Sequence, residues 1–380
     1  MAFSIKNLFG GLFGGERGGS VLGIDIGGSS AKIVQLRASR GVAVLETYGE
    51  IALGPYGGQP IGKVVKLTPE KTAEALRALM KEANVTSTLA GVSIPFASSL
   101  VSIIDLPKVD EASLKRIIPI EARKYIPVPV SDVSLDWFVI PKDTGDTSAF
   151  DDLQQKSPIR EHGQEVLLVA IHNNTLLSHQ AVMVAAGVTA SFYEVEIFSA
   201  IRSSLGHGLA PYLVVDLGAS TTKMYIVERG IVRMTHLLSL GGQQITETLA
   251  RTMNWEFEKA ERVKRERGFV DSSVYSSDEN TRIKEALLST LSRVFAEVNR
   301  VLLSYGQRYN KNVSSVVLTG GGASLPGIAD IAKKSLNSEV TAADPFSRTE
   351  APAFLQNVLH EIGPGFTVSV GLALRKLKRD

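Results

Sequence analysis

The sequence predicts an α/β chain made of two related lobes, and three observations carry that prediction. One short pattern, D-x-G-x-S-[ST]-x-K, occurs as Asp25-Ile26-Gly27-Gly28-Ser29-Ser30-Ala31-Lys32 and again, in the same register, as Asp216-Leu217-Gly218-Ala219-Ser220-Thr221-Thr222-Lys223. Each copy sits between two apolar runs, 21–24 and 33–36 in the first, 212–215 and 224–227 in the second, which reads as strand, tight turn, strand. At 380 residues the chain exceeds one ordinary core, so two lobes are expected.

The two loops also indicate a chemistry. Glycine lets turn backbone approach a phosphate without a Cβ, and the amides and hydroxyls of Ser29, Ser30, Ser220 and Thr221 supply donors to its oxygens. An aspartate at the strand end, Asp25 or Asp216, can hold hydrated Mg²⁺. A single loop of this kind also describes an ordinary hairpin, but two in register point to half-molecules facing one nucleotide. A third segment supplies a seat for the base. Residues 315–319 form a strand, then come Gly320-Gly321-Gly322 and Ala323-Ser324-Leu325-Pro326-Gly327, then a helix from Ile328. Three successive glycines let backbone lie flat against a purine or ribose.

In chain order, residues 1–20 stand apart from the fold. Their Phe3, Ile5, Leu8, Phe9, Leu12 and Phe13 have helical spacing but are interrupted by glycine pairs, which leaves a flexible leader or a weak interfacial anchor. Gly57-Gly58-Gln59-Pro60-Ile61-Gly62-Lys63 nearly spells a Walker-type loop. However, Val64 stands where a metal-binding hydroxyl belongs and 64–67 opens no helix, so a surface turn is expected. A helix over 68–84 follows from Thr68 as cap, Pro69 in the first turn and an apolar face through Ala73, Leu76, Leu79 and Met80. Strands are expected at 91–94 and 100–104, then a helix over 110–125 that Pro119 should kink or split. The polar stretch 142–164 reads as a long loop, followed by a strand at 166–171 and a helix at 175–186. Glu194 and Glu196, at the end of the first half, read as part of the connection between lobes. Helices are expected at 243–253, 256–267 and 282–309, with 271–281 as a polar break. In the last of them Ile283, Leu287, Leu291, Val294, Val298 and Tyr305 form one core face.

Composition narrows the function classes. A net charge of +2 implies neither nucleic acid nor a strongly acidic substrate, and the absence of cysteine removes thiolate catalysis and Cys-ligated metal. No apolar run approaches the ~20 residues that span a bilayer. His172 and His179 lack a short metal-binding spacing. The one reaction that matches the loops is metal-assisted attack of water on a γ-phosphate. No residue is clearly placed as its base, so the chain is expected to be at most a slow ATPase and no catalytic residue is assigned.

With these residues in view, the chain resembles the superfamily of actin, the heat-shock ATPase chaperones and sugar kinases, and within it the PilM family of type IV pilus assembly proteins. The resemblance rests on VLGIDIGGSSAKIVQL, IDLPK, EARKYIPVPV, YEVEIFSAIR, LVVDLGASTTKMYIV, AERVKRERG and VVLTGGGASLPGI. It implies an actin-like two-lobed ATPase-domain fold of duplicated ribonuclease H-like domains with an FtsA-like extra subdomain. The lobes would be 21–97 with 172–210, and 211–380, the latter with a helical subdomain at 241–312 and a last helix at about 367–378. The extra subdomain would be 98–171. The ligands implied are ATP and Mg²⁺. Asp25 and Asp216 would hold the metal through water, with Gly27, Gly28, Ser29, Ser30, Gly218, Ala219, Ser220 and Thr221 around the phosphates. Lys32 and Lys223 would neutralise charge, Glu261 and Lys264 would touch ribose and base, and Gly320, Gly321, Gly322 and Ser324 would line the adenosine. The implied partner is the cytoplasmic tail of PilN, an inner-membrane pilus protein, beside other pilus assembly components. Its groove is expected near Ile103, Leu106, Tyr125, Ile126 and Val128, with Pro119 as a departure that alters the groove shape. The location implied is cytoplasmic, attached peripherally to the inner membrane through that partner.

Two other functions fit the superfamily. An FtsA-like division filament protein should end in a long amphipathic membrane helix, whereas this chain stops at Lys376-Leu377-Lys378-Arg379-Asp380 directly after an expected core helix. A small-molecule kinase should place a substrate-facing base between the loops.

Overall fold

Each repeated strand-turn-strand segment seeds a sheet, and the two sheets share one topology. The computed structural model describes residues 19–140, 163–206, 208, 210–336 and 338–377; the leader up to residue 18 and most of the expected loop, 141–162, lie outside them. In the first lobe β1 (Ser20–Ile26), β2 (Ser30–Ser39) and β3 (Val42–Ala52) run antiparallel, and β4 (Leu89–Ile94) then joins β1 in parallel. With β8 (Thr189–Val195) at its edge, the sheet has the order β3-β2-β1-β4-β8. In the second lobe β9 (Tyr212–Leu217), β10 (Thr222–Glu228), β11 (Ile231–Leu238), β12 (Ser315–Thr319) and β13 (Val340–Ala342) repeat this as β11-β10-β9-β12-β13.

The helices form where the sequence signals them. Helix α1 (Pro69–Glu82) starts at Thr68, whose hydroxyl accepts from the Lys71 amide, and it buries Ala73, Leu76 and Leu79 on the first sheet beside α3 (Asn173–Ala186). In the second lobe α5 (Gly242–Met253), α6 (Phe257–Arg267), α7 (Ser277–Tyr309) and α8 (Ile328–Leu336) cover one face of the sheet. The long α7 buries the apolar face expected of it, but it begins five residues earlier than expected. Ser276 and Glu279 form a reciprocal capping box there, which converts part of the polar break into helix.

Between the halves of the first lobe a third sheet is inserted, in the order β5-β7-β6, from β5 (Ser99–Pro107), β6 (Val133–Val139) and β7 (Gly163–His172). Its outer face carries α2 (Glu111–Ala122) over Ile104, Leu106 and Leu168. Helix α2 runs unbroken through Pro119 rather than splitting. The carbonyl that Pro119 leaves without a donor belongs to Lys115, which is exposed, so water can satisfy it. The inner face of this sheet merges with residues of both lobes into one apolar cluster.

Two further helices join the lobes at their base. Helix α4 (Glu196–Ser204) leaves the end of β8 and is crossed by α10 (Thr367–Lys376), which follows the short α9 (Gln356–Ile362). At the crossing, a Cβ on Gly371 would overlap the Ser199 carbonyl, so the two backbones touch directly. Nearby, fully buried Glu194 accepts from Arg202 and Arg375, each at 2.8 Å, and from the Ser199 hydroxyl. Glu194 therefore belongs to the connection between lobes, as expected.

Candidate functional site

The strand ends of both sheets deliver the repeated loops to one place. In each loop a glycine amide closes the hairpin, Gly27 onto the Ser30 carbonyl at 2.9 Å and Gly218 onto the Thr221 carbonyl at 3.1 Å. The loops face each other closely enough that the Cβ position of Gly28 lies 3.4 Å from Ser220 Oγ. Between them opens a cleft of about 1490 Å³ including the solvent it meets. Every residue singled out from the sequence as ligand-facing lines it: both loops, Lys32, Lys223, Glu261, Lys264, the three glycines and Ser324. A second cavity of about 850 Å³ between α4 and the β10–β11 turn contains none of them.

The electrostatics of the cleft come largely from residues outside the motif. Asp25 Oδ1 accepts from Ser93 Oγ at 2.8 Å. Burial raises the Asp25 pKa above its ordinary value; Lys32, Ser93 and Lys223 work against this and Asp216 adds to it. Buried Asp216 instead lies 2.9 Å from Lys223 Nζ, which also lies 2.6 Å from Glu196. Burial alone would lower the Lys223 pKa, but the two carboxylates outweigh it and lift it further above its ordinary value. The neighbouring Glu196 is raised, first by burial and then by Asp216 and Asp25 outweighing what Lys223 contributes, and its other oxygen accepts the Phe96 amide at 2.6 Å. Both motif lysines are already committed, since Lys32 reaches Glu50 at 3.0 Å and Ser30 Oγ at 2.8 Å.

Across the cleft, Lys264 Nζ donates to Glu261 Oε2 at 2.6 Å, to Thr246 Oγ1 at 2.7 Å and to the Gly242 carbonyl at 3.0 Å. Burial works to raise the Glu261 pKa, yet Lys264, Thr246 and Arg265 outweigh it and hold the carboxyl below its usual range; burial lowers that of Lys264. The glycine run meets the second loop at Gly320. Its φ of 80° is left-handed, and a Cβ there would overlap the Asp216 carboxylate, so only glycine lets the run lie this close. A Cβ on Gly321 would meet nothing within 4 Å, which puts this stretch of backbone at open space. Ser324 Oγ donates to the Glu361 carbonyl at 3.0 Å.

Three placements differ from expectation. Glu196 belongs to the cleft, being the first residue of α4 and aimed at Lys223. The near-Walker segment is an exposed turn over Gly57, Gly58, Gln59 and Ile61, as expected, but its end reaches the cleft: Gly62 is buried and lines it, and the Val64 amide donates to Gln243 of the opposite lobe at 2.7 Å. The five residues expected around a partner groove do not converge. Leu106 and Ile126 are buried in the core under α2 with Val128 packed against it, Ile103 packs on the opposite face of the sheet, and only Tyr125, 43% exposed, stands at the surface. His179 Nδ1 sits 2.9 Å from the Thr175 carbonyl, and among the described residues no three His, Asp or Glu group as metal ligands. No helix among the described residues is long and apolar enough to cross a membrane.

Comparison with known proteins adds the family. Among curated proteins the chain is 25% identical over 225 residues to the cell division protein FtsA of Rhizobium meliloti (strain 1021), covering 54% of this chain and 48% of that one. It is 24% identical over 354 residues to FtsA of Staphylococcus epidermidis, covering 85% and 74%. The chain thus spans about half the length of the first of these relatives. Among solved structures, a PilM-PilN type IV pilus biogenesis complex matches with a TM-score of 0.76 at 23% identity over 94% of this chain and 98% of that chain. The ethanolamine utilization protein EutJ from Carboxydothermus hydrogenoformans matches at 0.53 and 16% identity, covering 94% and 89%. MreB 5 of Spiroplasma citri bound to AMPPNP matches at 0.51 and 12% identity, covering 95% and 96%. These likenesses show a two-lobed actin-like fold. A family model described as type IV pilus assembly protein PilM matches residues 23–377, from the first sheet to the end of α10, and the chain belongs to that family.

Proposed function

We propose that this chain binds ATP with Mg²⁺ between its lobes and acts as an actin-like cytoplasmic scaffold of type IV pilus assembly, holding the cytoplasmic tail of a PilN-like inner-membrane protein. The observation that carries the nucleotide reading is the facing of two equivalent phosphate-type loops across one cleft. The residues present fit the ligand. The loop amides and the Ser29, Ser30, Ser220 and Thr221 hydroxyls would bind phosphate, Gly321 leaves room for the nucleoside, and the Glu261 and Lys264 pair is held ready for ribose and base. Bound Mg²⁺ would neutralise phosphate charge. Asp25 and Asp216 would orient its water, and because Lys223 is tied to Asp216 and Glu196, it would set the position of that carboxylate rather than reach for phosphate. Calorimetry tests this: Asp25→Ala and Asp216→Ala should each weaken Mg-ATP binding far more than metal-free ADP binding, and unchanged affinity in both would reject the site.

The partner reading is supported by family membership and by the likeness to a structure that itself contains PilM and PilN. The inserted sheet with α2 is the proposed docking subdomain, and Tyr125 is its surface residue of choice. Tyr125→Glu should reduce pull-down of a PilN-like tail peptide while Mg-ATP binding stays intact. Full-strength tail binding by that folded variant would move the contact elsewhere. Ile126→Glu should unfold the subdomain, since Ile126 is buried in its core.

A further inference from the structure

The end of that turn, residues 62–64, forms a strap that reaches from one lobe to the other beside the cleft. Lys63 Nζ lies 2.8 Å from Glu247 Oε1 on α5 and 4.5 Å from the centre of the Phe257 ring on α6. The same Glu247 oxygen accepts from Gln243 Nε2 at 2.9 Å, and Gln243 Oε1 accepts the Val64 amide at 2.7 Å. On its own side, the strap is tied to the first phosphate loop by the Val65 amide, which donates to the Gly28 carbonyl at 3.0 Å. Gly62, with φ 90°, lies so near Glu261 that a Cβ would overlap that carboxylate. The strap therefore touches the expected phosphate side of one lobe and the expected base side of the other.

We infer that residues 62–64 form a clasp that holds the two lobes together beside the cleft, so that nucleotide exchange requires this clasp to open. This rests on the nucleotide reading for the word exchange, but not for the closure itself. The Lys63 side chain is 26% exposed and that of Glu247 37%, so the ion pair alone is weak. Its effect comes from sharing Glu247 with Gln243, which fixes the amide that receives Val64. Charge reversal at Lys63 would set two carboxylates against each other and release all of these together.

The chain has no cysteine, so spin labels placed at Glu82→Cys on α1 and Glu258→Cys on α6 report the lobe separation without background. Measured with no nucleotide, the parent should give one narrow distance. K63E should give a longer, broader one, and the swap K63E/E247K should restore the parent distribution. In the same proteins a fluorescent ATP analogue should leave on the order of fivefold faster from K63E and at parental rate from the swap. E247K serves equally if K63E melts early. A distance distribution in either folded single variant that superimposes on the parent, or a swap that stays open, overturns the clasp. Failure of the analogue to bind any of the proteins would count against the nucleotide site, while the distances would still decide the closure.

Discussion

The two phosphate-type loops share a sequence and a backbone but not an electrostatic role. In the first, Asp25 is raised by burial and steadied by Ser93, while Lys32 turns away to Glu50. In the second, Asp216, Lys223 and Glu196 form a buried chain of alternating charge. The difference teaches that the repeated motif specifies the turn, whereas its charges are set by residues on β4, β3 and α4 that are not repeated.

The largest expected break in this comparison is at the lysines. Lys223→Met should cost about 3–5 kcal/mol of unfolding free energy, because it strands two buried carboxylates. Lys32→Met should cost less, about 1–2 kcal/mol, since Glu50 is 39% exposed on its side chain although Lys32 is 13% exposed and also offsets buried Asp25. Urea denaturation of both variants measures the gap, and equal losses would mean that the two loops are wired alike.

A smaller effect is expected in the glycine run that leans on the second loop. Gly320→Ala forces a left-handed alanine into the Asp216 carboxylate and should cost about 1–3 kcal/mol. Gly321→Ala meets open space and should leave the melting temperature unchanged while weakening nucleotide binding. Identical melting of the two variants would remove the close approach at Gly320.

The finest test is one of sign. Because the folded-state pKa of Asp25 is raised above its ordinary 3.8, its ionised form costs stability, and that cost appears as pH rises from about 4 through the folded-state value. Asp25→Asn should therefore melt higher than the parent at pH 7 and lose that advantage near pH 4. Asp216→Asn should melt lower at pH 7, because Lys223 loses one of its two counter-charges. Melting curves between pH 4 and 8 that shift the same way for both variants would erase the distinction.

Much of this was legible in the sequence wherever a local rule decides. Apolar runs around the loops became β1, β2, β9 and β10, and Thr68 with Pro69 opened α1. What was illegible depends on partners far along the chain. Glu196 looks like a connector because Glu194, two residues before it, is one; the change from strand β8 to helix α4 between them turns Glu196 to the cleft. Lys63 looks like solvent-exposed charge until Glu247 and Phe257 are brought beside it. Tyr125 and Ile126 are adjacent letters with opposite fates, exposed and buried, although the amides of both bond to the Ala122 carbonyl in the turn after α2. The capping box at Ser276 and Glu279 was readable from the sequence; the polar stretch around it concealed it.

The backbone contact of α10 with α4 at Gly371 bears on how such a molecule would move. Interlocked side chains act as teeth, and turning one helix on another then means climbing from one groove to the next. At Gly371 carbonyl and Cα meet with nothing between them, but beside that point Arg202 donates to the Gly371 carbonyl at 2.9 Å and Ser203 Oγ to the Thr367 carbonyl at 2.6 Å. The crossing is a pinned joint: it holds α4 on α10 at the base of the lobes, so any opening has to be taken up at the far end, by whatever spans the cleft.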